Sequence, residues 1–174
     1  GGAIVRNDMN AVLDGEGVEC TLNGLYLAGG RQLVDNHSVI DHVRPHCDSR
    51  ELYKSILGGK SRAVFNGRII VRPDAQKTDA KQSNPNLLLS ADALAHTRPQ
   101  LEIYADDVIC AHGATIAKID EKAIYYLKTR GINEMQAKKM LSIGFINELL
   151  EKVSNTELNQ YLSAHVQKCL SNLK

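Results

Sequence analysis

The sequence predicts a mainly β chain: short strands stacked as a parallel β-solenoid over residues 1–119, then a small α-helical domain over residues 120–174. Three observations carry this. Short apolar runs broken by turn residues recur from residue 3 to about residue 118. After Ile119 the apolar period becomes helical. The chain has two phenylalanines and no tryptophan, so its core candidates are Val, Ile, Leu and Ala. Regular short strands suit a sandwich or a barrel as well. A narrow aliphatic interior favours the solenoid.

The β part reads in order as "AIVRND", "AVLDGEG", "VECTLNG", "LYLAGG", "RQLVDN", "SVIDHV", "AVFNG", "RIIVRPD", "NLLLS", "LEIYADD" and "VICAHG". In "VECTL", Val18, Cys20 and Leu22 share one strand face, while Glu19 and Thr21 share the other. Asn66-Gly67, Asp106-Asp107 and Gly58-Gly59 carry turn chemistry, as do Gly24, Gly29 and Gly30, which lack dinucleotide-loop spacing. His46 and Cys47, as strand neighbours, point to opposite faces. The polar tract "PDAQKTDAKQSNPN" reads as an extended, exposed connection.

Asp120 is the expected N-cap of "EKAIYYLKTR", with Gly131 as its C′ stop. Asn133 with Gln136 opens a second helix, and Ser154 with Glu157 a third. Ala137, Met140, Leu141, Gly144, Phe145 and Leu149 follow helical spacing. So do Leu158, Tyr161, Leu162, His165, Val166, Cys169, Leu170 and Leu173, with Cys169 expected in the core and His165 half-buried.

Lysine and arginine total 21 against 20 acidic residues, so no broad attraction to nucleic acid or anionic membrane follows. No run is apolar and long enough to span a bilayer. The four cysteines are widely spaced without a CxxC pair, which suits a reducing cytosol. The opening "GGAIVRND" lacks methionine and enters strand-like sequence at once, the pattern expected of a piece of a longer protein.

The chemistry concentrates in "DDVICAHGATIAKID". On a strand, Cys110 and His112 share a face, about 6.5–7 Å apart, and Ile109 and Ala111 share the other. With the apolar pair inside, the thiol and imidazole point outward. Both suit iron or zinc, at ligand distances of roughly 2.0–2.3 Å. Two donors make only a half-site, so further ligands come from a neighbouring coil, water or another chain. The plain alternative makes Cys110 a semi-buried hydrophobe and His112 a surface residue beside a glycine turn. C-x-H alone does not decide between them.

Three blocks then carry a resemblance: "PHCDSRELYKSILGGKSRAVFNGRIIVRPDAQKTDAKQSNPNLLLS", "TRPQLEIYADDVICAHGAT" and "YYLKTRGI". Together they resemble the C-terminal half of SufD-like members of the SufB/SufD family of iron–sulfur cluster assembly proteins. The resemblance covers roughly residues 20 to 150, in the family's order. It implies a right-handed parallel β-helix followed by a small helical domain. It further implies a cytoplasmic, non-enzymatic scaffold, whose β-helix pairs with SufB and whose helical domain docks on the ATPase SufC. A transient iron–sulfur cluster forms at the SufB–SufD interface, with none expected on this piece alone. The histidine of the family's C-x-HGAT motif falls on His112, the candidate metal ligand, and its neighbour falls on Cys110.

An exposed solenoid edge seeks strand pairing, so two copies of the chain are expected to associate. Two other readings are open. One is a purely structural partner with no metal-ligand role. The other is a carbohydrate-processing solenoid using Asp74, Lys77 and Asp79 or Asp106 and Asp107. That last reading lacks aromatic platforms, since aromatics are 5% of the chain.

Overall fold

The computed structural model describes residues 2–173. Eight ten-residue strands come first: β1 Ile4–Leu13, β2 Glu19–Ala28, β3 Leu33–His42, β4 Asp48–Leu57, β5 Arg62–Val71, β6 Asp79–Leu88, β7 Leu94–Ile103 and β8 Ile109–Lys118. Odd strands form one parallel sheet in the order β1-β3-β5-β7, and even strands a second in the order β2-β4-β6-β8. Each coil contributes one strand to each sheet. Ile4, Leu33, Arg62 and Leu94 thus stack in one column, with a period of about thirty residues, as expected for a solenoid. The expected mainly β parallel β-helix is borne out.

Turns mark the corners. Gly17, Gly30 and Gly59 take left-handed backbone with φ of 70°, 60° and 62°. The runs read as separate short strands are pairs joined into longer ones, and two expected turns are strand. Asn66 and Gly67 lie inside β5, and Gly24 inside β2. Both glycines face the interior where a side chain has no room: a Cβ at Gly24 would strike the Tyr53 ring, and one at Gly67 the Phe65 ring and Gln82. His46 and Cys47 form a corner rather than a strand. His46 has φ 60°, and buried Cys47 donates its Sγ hydrogen to the Gly15 carbonyl at 3.1 Å.

Two apolar corners hold the solenoid. One gathers Leu13, Ile40, Cys47, Ile69, Val71, Ala75 and Ala80. The other gathers Ala28, Val34, Leu57, Ala63, Leu88 and Ala93. Between them the interior is polar. Asn36, Ser38, Glu51, Ser55, Gln82, Asn84 and Asn86 are all at most 4% exposed. Buried polar groups require partners. Ser55 Oγ lies 2.5 Å from Asn86 Oδ1, Asn86 Nδ2 donates to Asn84 Oδ1 at 2.9 Å, and Asn84 Nδ2 donates to the Tyr53 carbonyl at 2.8 Å.

This interior corrects the expectation for "PDAQKTDAKQSNPN". Its second half is the central strand β6, with Ala80, Gln82, Asn84 and Asn86 buried. Pro85, which lacks an N–H, sits where the β4–β6 register lapses between Ser83 and Asn86.

Three helices follow: α1 Glu121–Thr129, α2 Glu134–Leu150 and α3 Thr156–Asn172. Asp120 and Asn133 cap α1 and α2 as expected, accepting from the Lys122 and Gln136 amides. The α3 cap is Asn155, one residue past Ser154, because Asn155 Oδ1 accepts the Leu158 amide at 2.9 Å. His165 is exposed and stacks on Tyr161, with ring centroids 6.2 Å apart, while Cys169 is half-buried. The helices cover the outward face of the β2–β8 sheet. The column Leu27–Ile56–Leu87 there meets Ile124, Ala137, Ile146, Leu150 and Val166. Lys54, 3% exposed, ties β4 to α2: its Nζ donates to the Phe145 carbonyl at 2.8 Å and to Glu148 Oε2 at 2.5 Å. Among the described residues, no helix is long and apolar enough to cross a membrane.

Candidate functional site

The last coil of the described solenoid places Cys110 and His112 on β8, at the end of the β2-β4-β6-β8 sheet. Parallel register keeps each column of side chains on one flank. Cys110 lies over Ala80 and Ser49, and His112 over Gln82 and Glu51. Those four residues are at most 3% exposed, so the flank is the interior one.

The expected orientation is therefore reversed. Ile109 and Ala111 face outward, and Ile109 is 67% exposed. Its column is otherwise acidic, running Glu19, Asp48 and Asp79. The inference from apolarity failed because β8 ends the stack, so its inward positions have cover on one side only. Cys110 and His112 do share a flank. Cys110 is half-buried against the aliphatic corner, whereas His112 is exposed.

Burial pushes the Cys110 thiol above its usual range; a hydrogen bond to the Ala80 backbone opposes this and Asp79 reinforces it. Its thiol form is thus favoured over the thiolate. Below His112, Gln82 Nε2 donates to Glu51 Oε2 at 2.6 Å. Burial pushes the Glu51 carboxyl up, with the Gln82 hydrogen bond opposing. Neither residue is visible as a functional candidate in the sequence, where Gln82 falls in the tract read as loop. The only signal is their spacing from His112, one coil for Gln82 and two for Glu51.

A groove of about 670 Å³ lies on the outward face of this sheet, lined by Arg50 and Lys81, by Gln82 and His112 at its wall, by Glu148 of α2 and by Lys152 in the turn after it. Arg50 Nη2 pairs with Asp79 at 2.8 Å and Lys81 with the same carboxylate at 3.5 Å. Among the described residues, no three His, Cys, Asp or Glu side chains converge as a metal cage. Cys110 and His112 are two side chains on one flank of β8, too few for a metal site by themselves.

Residues 1–145 match the family model for the SufBD core domain of SUF-system FeS cluster assembly. The chain belongs to the SufBD family. It is 42% identical to the iron–sulfur cluster assembly protein SufD of Escherichia coli, over 95% of this chain and 39% of that protein. A SufBD family iron–sulfur cluster assembly protein of Synechocystis is 34% identical, over 98% of this chain and 37% of that one. The chloroplastic protein ABCI7 of Arabidopsis thaliana is 35% identical, over 98% and 36%.

This SufBD chain thus spans about two fifths of the length of those relatives, with 36–39% of each covered. The family's process is iron–sulfur cluster assembly. The stretch that carries Cys110 and His112 lies within the matched residues.

Proposed function

We propose that this SufBD chain is a non-enzymatic scaffold subunit that offers the His112 imidazole to a nascent iron–sulfur cluster at an interface with a SufB-type partner. The observation that carries the reading is the position of His112. It is exposed on the last β strand, on the interior flank, over a polar column rather than an aliphatic one. A neutral imidazole nitrogen is a good iron donor, and protonation in acid releases it. Cys110 is the second donor, held back by its burial until metal arrives.

The same geometry supports a reading of the partner contacts. β7 and β8 are the end strands of the two sheets at the C-terminal end of the solenoid, and each carries exposed apolar residues: Leu94 and Ile103 on β7, Ile109 and Ile116 on β8. Such an edge favours docking of a second β-solenoid. The helical domain would meet the SufC ATPase, and its exposed Tyr125, Tyr126, Met135 and Tyr161 supply amphipathic anchors for it.

The test is His112→Ala in the complete assembly, scored by cluster formation in cells and by co-purification of the subunits. Loss of cluster with the subunits still associated supports a ligand. Wild-type cluster formation removes it. Loss of association itself supports the purely structural role.

A further inference from the structure

We propose that Gln82, held by Glu51, is the positioning residue that fixes the tautomer of the His112 imidazole. This rests on the reading of His112 as a cluster ligand and names the groups behind it. Leu22, Glu51, Gln82 and His112 form one column across four coils. Successive members sit about 4.8 Å apart between strands. Glu51 and Gln82 are 2% and 3% exposed.

The amide of Gln82 has a defined direction. Its Nε2 donates to Glu51 Oε2 at 2.6 Å, so its nitrogen end faces down the column. Its Oε1 is left shielded from solvent with no hydrogen-bond partner. A buried acceptor without a donor is rare in folded proteins and marks a place where a donor belongs. Gly67 on the opposite sheet leaves space for this side chain, since a Cβ there would run into the Gln82 amide nitrogen.

The next member of the column is His112, and a neutral imidazole carries one N–H in either tautomer. An N–H turned back to Gln82 Oε1 leaves the other ring nitrogen bare and directed out of the coil. A metal needs that nitrogen free, and metal-binding histidines are commonly fixed by a hydrogen bond from the second nitrogen. Glu51 acts one step further back, by orienting the amide. Neither residue touches the metal.

The experiment is a long-range proton–nitrogen correlation spectrum of the metal-free chain, with ¹⁵N-labelled histidine, at a pH where the imidazoles are neutral. His112 is expected in one tautomer, and the exposed His96 in the mixture typical of free imidazole. Gln82→Met keeps the side-chain length and removes the acceptor, so it should return His112 to that mixture. A His96-like mixture at His112 in the wild-type chain overturns the proposal, and that spectrum decides even if the variant does not fold. A single tautomer that persists in Gln82→Met overturns it too. Cluster formation by His112→Ala tests the ligand role separately. A cluster defect beside a mixed wild-type tautomer keeps the ligand and removes Gln82.

Discussion

Replacing Lys54 by methionine tests how the helical domain is held to the solenoid. Lys54 is 3% exposed on β4, and its ammonium reaches the Phe145 carbonyl at 2.8 Å, Glu148 at 2.5 Å and the Phe145 ring centroid at 4.8 Å. Methionine keeps the stem and removes the charge. A hydrogen bond from a charged donor is worth about 1.5–3 kcal/mol. The ion pair adds at most about 1 kcal/mol, since Glu148 is 65% exposed at its side chain. Relief of the ammonium's desolvation offsets part of this. The net expectation is a loss of about 1–3 kcal/mol, which at this chain size lowers Tm by about 3–10 °C.

Thermal unfolding followed by circular dichroism reads it. Lys54 also holds the Glu148 carboxyl below its usual range, first by hydrogen bonding and then by charge. A depressed carboxyl contributes stability above its unfolded value and loses it as pH falls through the folded one. The gap between wild type and Lys54→Met should therefore narrow in acid. A variant that melts within 1 °C of wild type at neutral pH would refute this account of the joint.

Two other outcomes follow from the polar interior. Because burial raises the Glu51 carboxyl, the folded state holds its proton to higher pH than the unfolded chain, so wild-type stability falls as pH rises through that window. Glu51→Gln should gain on wild type as pH rises from 4 to 7 in urea unfolding, and a constant difference would contradict it. Gly67→Ala puts a Cβ 2.6 Å from Phe65 Cζ and should cost about 1–3 kcal/mol by urea unfolding, as overpacking does. Gly113→Ala, with nothing within 4 Å, should stay within about 0.5 kcal/mol. Equal effects at the two glycines would contradict the packing described.

Much of the fold was legible in the sequence because local signals agreed with it. Val18, Cys20 and Leu22 alternate with Glu19 and Thr21 in burial as the pattern predicts. Gly29-Gly30 and Gly58-Gly59 turn, and Asp120 and Asn133 cap helices. The illegible part is the polar core. Gln82, Asn84 and Asn86 look like loop because single-strand patterning assumes an apolar interior. They are buried because each finds its partner on a neighbouring strand, a fact set by register.

The same limit governed the site. The shared flank of Cys110 and His112 follows from strand geometry alone. Its inward direction depends on Ala80 and Gln82, one coil away.

The central claim is that the His112 imidazole becomes an iron ligand when a partner closes over β8. Nitrogen hyperfine spectroscopy addresses it most directly, on a reduced, paramagnetic cluster in the complete assembly, with ¹⁵N-histidine in this chain only. A ¹⁵N coupling characteristic of direct ligation, absent in His112→Ala, is the predicted result. A cluster that shows no such coupling, or keeps it in the variant, would contradict the account.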